Sequence, residues 1–230
     1  MTTFALLHGG SHGGWCWERV VPLLQRAGHR TIGPDLHFDD PTRGARDAAR
    51  QVVDALADDG DDVVVVGHSF GGMVVPLVAA ARPVRRMVFL GAMVPMPGMS
   101  YVDYLATAEG AGAISMPRDR VGRDDLGRTV VPPDVAREVF YPDCPADDSE
   151  AAIMRLVPNS ATLFTEPGPL DRWPDVPSTY IRMTEDLAVG GEWSERVARE
   201  RLAADLVELP GSHSPFYSRP AELAEILGRL

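Results

Sequence analysis

The chain has no lysine: all 22 of its basic residues are arginine. That absence excludes Schiff-base chemistry, a phosphate-binding P-loop and a lysine general base together. Cysteine is scarce, with only Cys16 and Cys144, far apart in the sequence. Two such thiols give no disulfide framework and fit a reducing cytoplasm. No apolar stretch approaches the roughly 20 residues of a membrane span. The opening MTTFALLHGG lacks the basic region and long apolar stretch of a secretion signal. A cytoplasmic location is therefore expected. Basic residues are outnumbered by 33 acidic ones, for a net charge of −11. That balance disfavours nucleic acid and membrane surfaces as partners and suits solubility. His8 and His12 lie in a glycine loop with no third ligand at a suitable spacing, so no metal is expected. No cofactor is expected either.

What is present is an ordinary globular composition: 230 residues, 45% hydrophobic and 24% charged. One domain of that length buries a substantial core. The chain is organised around DDVVVVGHSFGGMVVPLVAA, residues 61–80. Four consecutive valines, Val63 to Val66, read as a strand buried on both faces of a parallel sheet. Gly67-His68-Ser69-Phe70-Gly71 follows, and then an apolar run long enough for a buried helix. The order strand, sharp turn, helix with serine at the apex is the nucleophile elbow, G-x-S-x-G. Glycine at 67 and 71 lets the backbones approach closely.

The remaining pattern is strand and helix in alternation. Strands are expected over residues 3–7, 30–36, 84–90, 177–183 and 205–209, in addition to the valine strand. Helices are expected over 15–27, 47–56, 192–202 and 220–230, with Pro22 either starting or bending the first. About six strands with helices on both faces make an α/β fold with a parallel central sheet. Residues 91–170 break the pattern with Pro, Gly and charged residues and no clean strand. So long an insertion in a compact domain reads as functional. We expect a helical cap, inserted after the fourth strand into a single domain whose core is residues 1–90 and 171–230.

A serine hydroxyl needs a base, and the base needs an orienting acid. Ser69 is the candidate nucleophile. His213, in GSHS after the last strand, is the candidate base. Asp186, in TED after the preceding strand, is the candidate acid, with Glu185 as its competitor. All three follow carboxyl ends of strands, where such sheets place their chemistry. Two backbone N–H donors must hold the developing oxyanion. Phe70, after the nucleophile, is one candidate. Gly10, in the glycine loop after the first strand, is the other, with Gly9 behind it. His12 is expected to make a structural hydrogen bond and His68 to pack or cap. Candidate pocket residues are Gly9, Trp15, Met93, Phe140, Phe164 and Ser214. Met96, Met99, Tyr101, Met116, Tyr141 and Leu156 add to an apolar surface in the insertion, although packing on the body explains many of these.

These segments together resemble the α/β-hydrolases, specifically the branch of plant methylesterases and hydroxynitrile lyases with their bacterial esterase relatives. The resemblance rests on LLHGGSHGGWCW, GHSFGG, FYPDCPADDSEAAIMRLVPNSATLF at residues 140–164, YIRMTED, and PGSHSPFYSRPAEL. It spans nearly the whole chain. It implies the triad Ser69, Asp186 and His213, an oxyanion hole at Gly10 and Phe70, a helical cap and often a homodimer. Cyanide-releasing members resemble one another in a threonine in the His-Gly slot and a lysine after the catalytic histidine. Here those slots hold Gly9 and Ser214. Ser214 also departs from the apolar residue of the plant esterases, so their substrate preference does not carry over.

The reading is a serine carboxylesterase acting on a small to medium hydrophobic or aromatic ester. Two alternatives stand beside it. One is a hydroxynitrile-lyase or retro-aldol-type lyase on the same triad. The other is a non-catalytic ligand receptor that keeps the fold. An epoxide hydrolase or dehalogenase would require aspartate at position 69.

Overall fold

The computed structural model describes all of residues 1–230. Six strands form one parallel sheet: β1 (Thr3–Leu7), β2 (Arg30–Ile32), β3 (Val63–His68), β4 (Arg86–Leu90), β7 (Ser178–Met183) and β8 (Asp205–Leu209). Their order across the sheet is β2-β1-β3-β4-β7-β8, with every neighbouring pair parallel. A two-residue antiparallel ribbon, β5 (Gly122–Arg123) with β6 (Thr129–Val130), lies between β4 and β7 in the chain.

Alternation along each strand divides the core in two. Ala5, Leu7, Val63, Val65, Met87 and Phe89 face one side. Phe4, Leu6, Val64, Val66, Val88 and Leu90 face the other. All are buried, which is why the central strands read as unbroken apolar runs. The first face is covered by α2 (Ala45–Ala55), α3 (Val75–Ala81) and α8 (Gly191–Arg196), through residues such as Val52, Val78 and Trp193. The second is covered by α1 (Val21–Arg26) and α10 (Pro220–Gly228), through Leu24, Leu223 and Leu227.

The expected sheet forms, with shorter ends. β2 stops at Ile32 rather than residue 36, because Gly33-Pro34 follows and proline cannot donate to a ladder. β4 begins at Arg86 rather than residue 84, just after Pro83. The first expected helix is two pieces. Gly14–Trp17 is a 3-10 turn, and α1 starts with Pro22 in its first turn, where its missing N–H costs nothing. The helix expected over 192–202 runs as α8 and then widens into a π-helical turn, Val197–Arg201.

Between β4 and β7 the chain forms α4 (Tyr101–Leu105), the β5–β6 ribbon, α5 (Pro133–Val139), α6 (Ala146–Ile153) and α7 (Thr162–Thr165). The ribbon is a departure from an all-helical insertion. This segment joins both cores, Tyr101 and Leu163 in the first and Val139 and Phe140 in the second.

Candidate active site

Ser69 follows β3 directly and opens the 3-10 turn Ser69–Met73, which leads into α3. Its φ is +50°, in the left-handed region that side-chain-bearing residues seldom occupy. The turn is held by close backbone approach. A Cβ on Gly67 would lie 2.5 Å from Val75 Cγ2, and one on Gly71 would lie 2.7 Å from the Leu7 carbonyl oxygen. The Met93 N–H donates to the Ser69 carbonyl at 3.0 Å, tying the turn to the loop after β4.

His213 lies in the loop between β8 and α9 (Pro215–Ser218). Its Nδ1–H donates to Asp186 Oδ2 at 3.0 Å, and the two side chains are 2% and 4% exposed. The other Asp186 oxygen accepts from the N–H groups of Ala188 at 2.8 Å and Val189 at 3.1 Å. Asp186 is thus fully engaged, whereas Glu185 is exposed to solvent. With the proton on Nδ1, Nε2 of the neutral ring is bare. His213 bonds through Nδ1 to Asp186 and through its carbonyl to His68, and it makes no hydrogen bond with Ser69 in this resting arrangement.

His68 Nε2–H donates to the His213 carbonyl at 2.9 Å, and the two rings lie 4.5 Å apart. Its Nδ1 has no partner. Burial pushes its pKa well below the ordinary histidine value, so the ring stays neutral beside the base.

The glycine loop after β1 is held by its own histidines. His8 Nδ1–H donates to the Gly9 carbonyl at 2.8 Å, while its Nε2 accepts the Leu36 N–H at 2.8 Å. His12 Nδ1–H donates to the Gly10 carbonyl at 2.8 Å, and its Nε2 accepts the Tyr141 hydroxyl at 2.7 Å. Each ring therefore has one defined tautomer. Desolvation lowers the His8 pKa to about 4 and that of His12 to about 3. With the Gly9 carbonyl held, the Gly10 N–H at the opposite end of the same planar unit is oriented too. No backbone carbonyl receives it. The Phe70 N–H lies in the first turn of its 3-10 helix, where helices leave donors without internal partners.

The structure gathers most of the expected residues. A Cβ on Gly10 would lie 2.7 Å from the Phe70 ring, and one on Gly9 would lie 2.8 Å from Ser69 Cβ. Phe164 packs edge-on against Phe70 at 4.6 Å, and Phe140 lies 5.5 Å from the His213 ring. Met93 is buried beneath the turn. Two residues sit otherwise. Trp15 packs on His12, Tyr217 and the Arg155 guanidinium. Ser214 is wholly buried and its hydroxyl has no partner.

Sequence reasoning missed the residues that brace these loops. Asp143 accepts the Ser212 N–H at 3.1 Å and also the Ser212 hydroxyl, and so clips the histidine loop. Asn159 Oδ1 accepts the Ser11 N–H at 2.6 Å, and its Nδ2 donates to Ser11 Oγ at 2.6 Å. Both come from the irregular insertion, where no periodicity marks them.

A serine on a strained strand-to-helix turn, a buried histidine–carboxylate pair and an unreceived backbone N–H together define a nucleophilic hydrolase layout. The model of the alpha/beta hydrolase family matches residues 4–226, and the chain belongs to that family. It is 28% identical over 242 residues to a pyrethroid hydrolase of Sphingobium wenxiniae, covering 99% of this chain and 86% of that one. It is 28% identical over 251 residues to methylesterase 2 of Arabidopsis thaliana, covering 97% and 94%. The crystal structure of a pyrethroid hydrolase from Sphingobium faniae superposes with a TM-score of 0.86 at 27% identity, covering 99% and 96%.

Proposed function

We propose that the chain is a serine carboxylesterase with Ser69, His213 and Asp186 as its triad. The observation that carries this is the His213–Asp186 bond, which leaves Nε2 bare at the carboxyl end of the sheet, where Ser69 also lies. Ser69 Oγ attacks the ester carbonyl carbon as its proton passes to His213 Nε2. Negative charge on the former carbonyl oxygen is held by the N–H groups of Gly10 and Phe70. The C–O bond to the alcohol then breaks, and His213 returns the proton to the leaving oxygen. A water molecule, deprotonated by His213, attacks the acyl carbon. The acid leaves and Ser69 recovers its proton.

Residues 91–170 act as the cap in this reading. Phe70, Met93, Phe140 and Phe164 favour a small to medium hydrophobic or aromatic ester. Relatives named pyrethroid hydrolase and methylesterase fit that class. The absence of lysine and the glycine at position 9 argue against the lyase alternative, and the preserved triad argues against a mere receptor. The reading extends to a reducing cytoplasm, with Cys16 and Cys144 as free thiols, and to a homodimer, as the family resemblance implies.

Ser69→Ala tests the assignment. Turnover of p-nitrophenyl acetate should fall by about 10⁴-fold or more. The single fluorophosphonate adduct seen by intact mass should disappear, while the circular dichroism spectrum stays unchanged. Retained hydrolysis would place the nucleophile elsewhere.

A further inference from the structure

The oxyanion loop depends on one residue of the insertion. Ser11 sits next to Gly10 with φ of +60°. Its three polar groups are all bonded to residues 157–159. The Ser11 N–H donates to Asn159 Oδ1 at 2.6 Å, its Oγ accepts from Asn159 Nδ2 at 2.6 Å, and its carbonyl accepts the Val157 N–H at 2.9 Å. Asn159 is only 5% exposed. Its own backbone is fixed by a bridge to Thr129, with N–H to carbonyl bonds of 2.7 and 2.8 Å in the two directions.

These bonds act on two successive planar peptide units. In the unit joining Gly9 to Gly10, the carbonyl is held by His8, and the N–H of Gly10 is the free end. In the unit joining Gly10 to Ser11, the carbonyl is held by His12 and the N–H by Asn159. Asn159 is the only side chain outside the glycine loop that holds either plane directly. Without it, the second plane is held only by His12 at the Gly10 carbonyl and by Val157 beyond Ser11, and Gly10, the pivot between the two planes, keeps its N–H aimed through His8 alone. A Cβ on Gly10 would also come within 3.1 Å of Asn159 Oδ1, so the amide lies against the Gly10 backbone itself.

We infer that Asn159 is a positioning residue for the oxyanion hole: it aims the Gly10 N–H at the tetrahedral intermediate by clamping Ser11. The inference rests on the esterase reading above. It makes the insertion a working part of the catalytic centre as well as its cover.

The test compares wild type, Asn159→Ala and Asn159→Asp, with active sites counted by exhaustive fluorophosphonate labelling. An aspartate keeps an acceptor for the Ser11 N–H, and its second oxygen can accept from the Ser11 hydroxyl. For Asn159→Ala, kcat for p-nitrophenyl acetate per labelled site should fall about 10- to 100-fold, the range for misplacing a catalytic group by about an ångström. Affinity for phenylboronic acid, whose adduct with Ser69 places an oxygen in the hole, should fall in parallel. The midpoint of the acid limb of the pH profile should not move, because His213 is untouched. Asn159→Asp should recover most of the loss. A purely structural role would reduce the number of labelled sites while leaving kcat per site intact. Wild-type kcat per site in Asn159→Ala overturns the inference, as does a shifted acid limb or an aspartate variant no better than alanine. If wild type itself neither labels nor turns over, the esterase reading fails first, and that is read before any variant is compared.

Discussion

In β3, consecutive valines point to opposite faces of the sheet, and each is buried by the same rule as its neighbour. Residues 140–164 follow no such rule. Phe140 reaches the His213 ring, Tyr141 the His12 ring, Asp143 the backbone beside His213, Asn159 the glycine loop and Phe164 the Phe70 ring. One region repeats a single interaction along a periodic backbone. The other makes a different interaction at almost every functional residue. The strand ends carry the proposed triad, and the insertion contacts the loops beside it. Precision at the site thus depends on contacts between elements that share no pattern.

The comparison can be broken first on the sheet side. Asp186→Asn should lower kcat by about 10⁴-fold, because an amide facing His213 Nδ1 favours the wrong tautomer. Glu185→Gln, on an exposed neighbour, should leave kcat within twofold. Steady-state kinetics on the two variants decide between the carboxylates, and the opposite ranking would transfer the acid role to Glu185.

The next effect sharpens what holds the glycine loop. Burial keeps His8, with its pKa near 4, and His12, near 3, neutral in the folded protein. The unfolded chain's histidines take up protons as pH drops through about 6.5. The folded state then binds fewer protons, so stability is complete above that pH and is lost as pH falls toward 4. The loss should be about 1 kcal/mol per pH unit for each buried histidine, and His68 adds to it. Urea midpoints at pH 7, 6 and 5 measure this slope before most carboxylates titrate. A flat profile would mean that these rings are not held neutral.

The smallest effect separates anchoring the insertion from supporting the site. Glu166 accepts the Ala45 N–H at 2.6 Å at the start of α2 and pairs with Arg46 at 3.0 Å. It ties the insertion to the start of α2 without a hydrogen bond to the glycine loop. Glu166→Ala should cost about 1 kcal/mol, as the loss of a helix cap does. Thermal unfolding should register that loss while kcat stays at the wild-type value. Reduced turnover would extend the functional part of the insertion beyond Asn159.

Legibility follows the same division. The limits of β1 and β8 match the sequence pattern residue for residue, although β1 is buried throughout whereas Asp205 and Glu208 of β8 are exposed. Ser69, Asp186 and His213, the proposed triad, stand out in the sequence because each follows a strand end and carries a side chain suited to one chemical task. Gly10 and Phe70 are proposed as oxyanion donors by the same logic of position. β2 ends early at Gly33-Pro34, where proline offers no ladder donor, and β4 starts two residues later than the pattern suggests although the Arg85 N–H still reaches the Val63 carbonyl. Trp15 carried an aromatic signal but packs against Arg155 and Tyr217. Asn159 and Asp143 left no local trace, because an asparagine or aspartate in an irregular segment usually serves a turn. Their partners lie 148 and 69 residues away.

Those separations bear on the order in which the molecule comes together. Ser11 meets Asn159 across 148 residues, and His68 meets His213 across 145. Joining such distant points has an entropic cost that local pairing avoids, and contacts of this range form slowly. β1 and β3 can pair once the first third of the chain exists, whereas the contact on Ser11 waits for the insertion and the His68–His213 bond waits for the loop after β8. A folding chain can therefore pair β1 with β3 early, whereas β7 and β8, the Ser11 contact and the His213 loop all come late, and that interval is a property of where these segments stand along the chain.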